Sequence, residues 1–596
     1  MNTLRFLCFI ACAATLPGLP VLRAEPPRPS TICNPLDLAY RFELQPPSRR
    51  SAADPTAIYF HGQYWIFASK VGGYWHSPDF IHWSLVVPTG LDLEAWAPTV
   101  EVINDHLYFA TQNSGIYRTD DPLTGKWTLV SKGLNVGHDE DLFLDEDGRL
   151  YLYTGSSRKA IQGEELDITK DFNPIGSLVK VITPDPSHRG WENCPQPAMT
   201  SPPAAAPPGG LPIGSSANAP KKRPGVWVEG AWMNKIGGRY YLQYGAPETQ
   251  LDTYGDGVFV SDHPLGPFTY QPYSPFSFKP TGFARGAGHG STFKDAKGNY
   301  WHIATIALSR RDKFERRIGV YPAKFFPDGQ LACNTYLGDY PQYPPGVADD
   351  PFTSNLPGWM LLSLNKPVTV SSELPGHSSR FVVDENLHNW WSAATGNPQE
   401  WIKIDLGSVC RIDALQLNFA DEGANQIGRL ENDAYRYLVE VSNDGDQWRT
   451  LLDRKDNIRD APHDYTQLDA PVKGRFVRVT NLHTPAGARF SMSGLRIFGN
   501  APGSAPKEVD GVTAQINPAD GRSAHVSWRS SPGAEFYIVR YGVKPDRLFS
   551  NYQVYDTTSV DIDALNTGVP YFLTVDAVNA SGITSGPAPI PIITAR

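Results

Sequence analysis

One pattern recurring five times in the first 350 residues constrains this chain more than anything else in it. Each copy is an apolar β-rich run, a Gly or Asp turn, an aromatic pair and a second apolar run. The copies are Thr56 to Trp65, Thr99 to Tyr108, Leu142 to Tyr151, Ala231 to Tyr241 and Ser291 to Trp301. Turn chemistry and alternation make each one a β-hairpin. With Trp65, Tyr108, Tyr151, Tyr241 and Trp301 as equivalents, the spacings are 43, 43, 90 and 60 residues. They bracket the ~40–50 residues of a four-stranded propeller blade, which predicts a five-bladed β-propeller over residues 33–350. Most of the excess before Tyr241 is Pro195 to Pro224, a Pro-, Ala- and Gly-rich stretch without periodicity that reads as a flexible surface insertion. A second repeat, Ser77 to Trp83, Asp120 to Trp127 and Asp262 to Phe268, reads as the turn into an outer strand, its aromatic packing between neighbouring blades.

Beyond the repeats the texture changes. Asn365 to Gly499 holds short alternating strands such as Trp401 to Gly407, Tyr437 to Trp448 and Gly474 to Val479, which predict a β-sandwich over residues 360–500. A Pro, Gly and Ser linker at Ala501 to Pro506 leads into residues 506–596. There Val526 to Trp528, Tyr537 to Tyr541 and Tyr571 to Asn579 have the rhythm of an immunoglobulin-like sandwich. The fold class is therefore all-β.

Composition narrows the partners. Fifty-three Lys and Arg against 62 Asp and Glu give a net charge of −9 with no long single-sign run, which argues against a nucleic-acid partner and suits a neutral ligand. Fifteen Trp and 27 Tyr against 5 Met serve β-rich cores, and flat rings also stack on sugar faces. At the N-terminus Arg5 precedes an apolar stretch from Phe6 to Leu22, so residues 1–24 read as a signal peptide and the chain as secreted, periplasmic or extracellular. No later segment approaches the ~20 apolar residues of a spanning helix, so no membrane insertion is expected. Cys33, Cys194, Cys333 and Cys410 are spaced too widely for a zinc set. Cys33 and Cys333 flank the repeats, where a disulfide would close the ring.

The innermost strand of each blade lines the central channel, so residues starting those strands converge on one spot. Eleven or twelve positions before the equivalent aromatics stand Asp54, Ala97, Asp139, Glu229 and His289. Converging carboxylates repel and desolvate one another, a cost that chemistry or a cation explains. Singly each has an ordinary reading, since Asp54 before Pro55 is a turn former and Gly288-His289-Gly290 a tight loop. Together they are what glycoside hydrolysis needs: one carboxylic acid to protonate the leaving oxygen and one carboxylate to activate water or attack the sugar.

The segments Ala53-Asp54-Pro55, Trp96-Ala97-Pro98, Asp139 to Leu152, Val228-Glu229-Gly230 and Gly288 to Ser291 resemble the signature segments of family 43 glycoside hydrolases, in order and separation, from about Asn34 to Pro344. That resemblance implies inverting hydrolysis, with Asp54 as general base, Glu229 as general acid and Asp139 tuning and orienting the acid. It places His289 near the channel axis, where such enzymes often hold a water or a calcium ion. No cofactor is required, and any metal contact of His289 would run through water, since calcium prefers oxygen ligands. Two departures, Thr99 where the family often has Asp and Glu140 where Pro is common, mark a divergent branch. Trp75, Trp96 and Trp232 are candidate sugar-stacking walls, with buried packing the ordinary role of at least one, and Arg316 is a candidate to reach the substrate.

Trp401-Ile-Lys-Ile-Asp-Leu-Gly407, Ser442 to Trp448 and Arg475-Phe-Val-Arg-Val479 resemble a discoidin-like jelly-roll module, also called a coagulation factor C-type domain; the last 90 residues resemble a fibronectin type III domain, read as a spacer. Three functions compete. The first is an exo-acting glycosidase of the arabinofuranosidase or xylosidase kind, acting on polysaccharide or oligosaccharide. The second is a related propeller enzyme acting on galactose or an unusual sugar. The third is a non-catalytic polysaccharide-binding protein, which three intact carboxylates disfavour.

Overall fold

In the second strand of every repeat both faces are apolar, and this dictates the architecture. Successive side chains of a strand point to opposite faces. Along Arg239–Ala246, Tyr240, Leu242 and Tyr244 face one way and Tyr241 the other, none more than 5% exposed. A sheet apolar on both faces must lie between two others, and a closed ring of sheets leaves none bare.

The computed structural model describes residues 28–594 apart from 93, 113, 133–137 and 198–222. Five antiparallel sheets form the ring. Blade 1 is β1 (Ala53–Phe60), β2 (Gln63–Ser69), β3 (Tyr74–Ser77) and β4 (Ser84–Val86). Blade 2 is β5 (Thr99–Ile103), β6 (His106–Ala110), β7 (Ile116–Thr119) and β8 (Thr128–Ser131). Blade 3 is β9 (Asp141–Leu144), β10 (Leu150–Thr154), β11 (Ile161–Asp167) and β12 (Asn173–Ile182). Blade 4 is β13 (Glu229–Ile236), β14 (Arg239–Ala246), β15 (Gly255–Ser261) and β16 (Thr269–Tyr270), with β17 (Ser277–Phe278) also on β15. Blade 5 is β18 (Gly288–Lys294), β19 (Tyr300–Ala307), β20 (Arg316–Phe325) and β21 (Leu331–Cys333).

An apolar cluster fills each gap between blades. Phe67 and Tyr74 meet Phe109 and Trp127 between blades 1 and 2, and Ile103 and Ile116 meet Leu150 and Leu166 between blades 2 and 3. Trp127 also donates to the Tyr74 hydroxyl at 3.1 Å, the inter-blade role read from the second repeat. Residues 28–52 close the ring: Ile32 bridges to Gln342, and Leu36, Leu38 and Tyr40 enter the cluster between blades 5 and 1. Cys33 and Cys333 do not pair. Both are free and buried in different clusters, and burial pushes the Cys33 thiol up to about 12. The signal-peptide reading at 1–24 lies outside the described residues, as do residues 198–222 of the Pro-rich insertion.

The second unit is built on two long strands, Trp401–Phe419 and His463–His483, whose register shifts near Asp405 to Ala414 let them bend through both layers of the sandwich. Its core holds Trp391, Ile402, Leu417, Val439, Val479 and Leu495. The last unit has two facing sheets, one around Ala524–Ser527 and one around Phe536–Gly542 and Phe572–Asn579. The spacer expectation for it is corrected: it lies docked on the propeller. Val526, Trp528 and Val539 share one apolar cluster with Tyr153 of blade 3 and Leu242 of blade 4. Arg223 pairs with Asp520 at 2.9 Å, and Asn566 donates to the Ser274 carbonyl at 2.7 Å. Among the described residues no helix is long and apolar enough to cross a membrane.

Candidate active site

The channel end of each blade begins with a backbone feature that the sequence does not announce. Asp54, Ala97, Asp139 and His289 take left-handed φ values of 52°, 42°, 55° and 46°, and blade 4 places Gly230 there at 65°. For a residue with a Cβ this conformation costs on the order of 1–3 kcal/mol, and such strain persists where the surrounding structure overdetermines it. Register shifts follow at Ala53/Thr56, Glu229/Trp232 and Gly288/Ser291. The inner strands thus start with an irregular turn that redirects one side chain toward the axis. Gly230 is the close-approach position: a Cβ there would lie 2.6 Å from the His289 ring.

Asp54, Asp139 and Glu229 line one cavity of about 390 Å³ together with His289 and Arg316. Asp54 accepts from Arg316 Nη1 at 3.0 Å and from Ser69 Oγ at 2.7 Å, with His289 Nδ1 3.3 Å from Oδ1. Burial would raise its proton affinity, but Arg316, His289 and Ser69 outweigh it and hold the carboxyl below its usual range. Glu229 takes three donors: Tyr254 hydroxyl at 2.6 Å on Oε1, and Trp227 Nε1 at 2.8 Å and Ser156 Oγ at 3.0 Å on Oε2. Asp139 behaves oppositely to Asp54. Burial pushes it up to about 7; His289 opposes that rise, while Glu229 and Asp54 add to it. Burial disfavours charge on His289, yet Asp54, Asp139, Glu229 and Asp256 prevail and raise its proton affinity.

A buried relay fixes the His289 turn. Asp256 accepts the backbone N–H groups of His289 at 2.7 Å and Gly290 at 2.9 Å, and His302 Nε2 lies 2.9 Å from the same carboxylate. Chemically the pocket offers a charged carboxylate in Asp54 and, opposite in proton affinity, the carboxyl of Asp139, with Glu229 lining the same cavity.

Of the residues expected around substrate, Trp96, His289 and Arg316 line the cavity. Arg316 is 2% exposed, and its Nε and Nη2 have no partner in the fold. Trp75 and Trp232 require correction. Trp75 sits on the third strand of blade 1, 1% exposed and packed edge-on to Tyr40. Trp232 lies three residues into β13 and donates to the Thr292 carbonyl of blade 5 at 3.2 Å. Neither lines the pocket, whose walls come from strand starts and loops. Trp227 and Phe314 supply aromatic walls instead, with Phe314 5.1 Å from the Trp96 ring. Trp227 was within reach of sequence reasoning, because two residues before Glu229 in extended chain puts it on the same side. Tyr254, distant in sequence, carried no such signal.

The two departures differ in consequence. Thr99 donates to Asp141 at 3.3 Å and accepts from Leu142 N at 3.2 Å, tying blade 2 to blade 3. Glu140 is buried with neither oxygen bonded, and its burial raises its proton affinity well above the usual range. Among the described residues no group of three or more His, Cys, Asp or Glu side chains is arranged to hold a metal ion, and the His289 ring is engaged with Asp54.

Two family models match the chain: residues 198–331 match "Glycosyl hydrolases family 43" and residues 367–493 match "F5/8 type C domain". The "Beta-xylosidase" of Xylanibacter ruminicola is 27% identical over 161 residues, 25% of this chain and 42% of that protein. The "Beta-D-galactofuranosidase xynD" of Aspergillus niger is 23% identical over 259 residues, 37% of this chain and 64% of that protein. The "Arabinoxylan arabinofuranohydrolase" of Paenibacillus polymyxa is 28% identical over 236 residues, 35% of this chain and 32% of that protein. The chain thus spans less than two thirds of each of these relatives.

Proposed function

We propose that this protein is a glycoside hydrolase that cleaves O-glycosidic bonds of polysaccharide or oligosaccharide with inversion at the anomeric carbon. The observation that carries this is the convergence of Asp54, Asp139 and Glu229 in one pocket, with environments that push the proton affinities of Asp54 and Asp139 apart. Asp54 takes a proton from water as the water oxygen bonds to the anomeric carbon. The bond to the leaving oxygen breaks, and that oxygen receives the proton of Glu229. Asp139 shares the pocket and the Ser156 hydroxyl with Glu229 and helps to orient it. Arg316 and Ser69 hold Asp54 in place, and Tyr254, Trp227 and Ser156 orient Glu229.

The substrate reading is an exo-acting enzyme on pentose or furanose units. Trp96, Trp227 and Phe314 line the pocket, aromatic surface on which a sugar ring can stack. The names of the three relatives, a xylosidase, a galactofuranosidase and an arabinofuranohydrolase, support that class. The apolar N-terminal run supports export, and the two-sheet arrangement of the last unit supports the fibronectin type III reading. The test is hydrolysis of a panel of aryl pentosides and hexosides by wild type and by Glu229→Ala and Asp54→Ala, with folding verified. One glycoside should be cleaved with inversion by NMR, and each variant should lose at least ~100-fold. Variants that keep full activity would overturn the site, and retention of configuration would overturn the mechanism.

A further inference from the structure

The pocket wall opposite the blade 3 loops consists of two segments, residues 248–254 and 308–316. The first brings Glu248, Thr249 and Gln250 to the cavity, and the second brings Lys313, Phe314 and Arg316. Neither is held by propeller contacts alone. One turn of the discoidin-like unit, residues 384–390, enters the propeller between them.

Leu387 of that turn is 1% exposed and packs among Phe283, Ala284, Ile306 and Leu308. Its carbonyl accepts from Arg310 Nε at 2.9 Å. His388, next in the chain, touches both wall segments at once: Nδ1 lies 2.7 Å from the Leu308 carbonyl and Nε2 2.8 Å from Asp252 Oδ1. Each ring nitrogen thus holds one wall segment. Asp252 is bonded on its other oxygen by Arg285 at 3.1 Å, and Arg311 donates to the carbonyl of Asp421 at 2.7 Å. One residue beyond Arg316, Arg317 donates to His463 of the same unit at 2.8 Å. Neighbouring arginines of β20 thus face opposite ways, one to Asp54 and one into the second unit.

We propose that the discoidin-like unit is a built-in support of the catalytic pocket and that His388 is a positioning residue, clamping segments 248–254 and 308–316 at the spacing that fits the substrate. This rests on the pocket being the glycosidase site proposed above. The clamped wall brings Glu248, Gln250, Lys313 and Phe314 to the cavity and ends in Tyr254 and Arg316, which bond Glu229 and Asp54, so a loosened clamp weakens substrate binding and also slows bond cleavage.

The experiment uses the full chain. His388→Ala should raise KM for the cleaved aryl glycoside by about 10-fold, the size usual for loss of a supporting contact, with a smaller fall in kcat. A merely structural role would lower the fraction of active molecules and so kcat, with KM unchanged, and that result would overturn the proposal. Arg475→Ala, which breaks the Arg475–Asp405 pair away from the propeller, should leave both constants unchanged. Hydrogen exchange by mass spectrometry reads the clamp without activity. His388→Ala should speed exchange in 248–254 and 308–316, and unchanged exchange there would equally overturn the proposal. Should wild type cleave no glycoside, exchange still decides the clamp, and the failure belongs to the functional reading.

Discussion

Replacing Arg316 by methionine isolates what keeps Asp54 ionised. The two side chains are 3% and 5% exposed and meet at 3.0 Å, so solvent screens their attraction little. A hydrogen bond between charged partners contributes about 1.5–3 kcal/mol, and about 1.4 kcal/mol corresponds to one pH unit. Arg316→Met should therefore raise the proton affinity of Asp54 by about 1–2 units. His289, 3.3 Å from the same oxygen, remains to favour the carboxylate and places the shift toward the lower end. The sign follows from the role: a base must be unprotonated, so the acid limb of the kcat/KM profile moves upward and activity at low pH falls first. Methionine fills the space of the arginine stem, and Nε and Nη2 leave no broken bonds because neither has a partner. The assay is kcat/KM against pH for the best aryl glycoside, with the melting temperature as a folding control. An acid limb that stays within about 0.3 unit while overall activity falls would refute the argument and make Arg316 a substrate contact only.

Asp139→Asn tests the other carboxyl. A folded-state proton affinity raised from 3.8 to about 7 means the native protein holds an extra proton in that window, so wild-type stability falls as pH rises through it. The variant should flatten the change in denaturant midpoint between about pH 4 and 7, and an unchanged slope would count against the shift. Gly230→Ala would put a Cβ 2.6 Å from the His289 ring and strain a left-handed turn, so kcat should drop at least ~10-fold with the His289 ring displaced; wild-type kinetics would show that the turn yields freely. Arg50→Ala strands the buried carboxylates of Asp421 and Asp460 between the propeller and the second unit, with an expected loss of about 3–5 kcal/mol by chemical denaturation. A loss below about 1 kcal/mol would mean that water compensates the pair.

The blades were legible because their hairpins carry apolar residues on both faces, a pattern only a packed ring satisfies. Asp54, Asp139 and Glu229 were legible because each stands at a fixed offset from a blade aromatic. Trp75 and Trp232 were misread because residue type says nothing about position in a blade: Trp75 is buried on a third strand, and Trp232 lies far enough along its inner strand to bond the blade 5 backbone. The left-handed turns were invisible because three of the five start positions carry Asp or His and one Ala, with Gly only at 230. Cys33 and Cys333 flank the ring in sequence, yet the closing segment seats them in different clusters. The docking of both C-terminal units escaped because contacts such as those of Leu387, Arg50, Trp528 and Asn566 join residues far apart in sequence and follow no local pattern.

The apolar cluster that joins blades 3 and 4 to the last unit bears on how the chain is made. A ribosome releases residues 142–278 long before residues 526–577, so the blade 4 surface that meets the last unit, with Tyr270 and Phe278, waits uncovered until that unit follows. Ring closure waits too, because Ile32, near the start, pairs with Gln342. A chain stopped at residue 500 consequently exposes an apolar flank that a holdase would recognise.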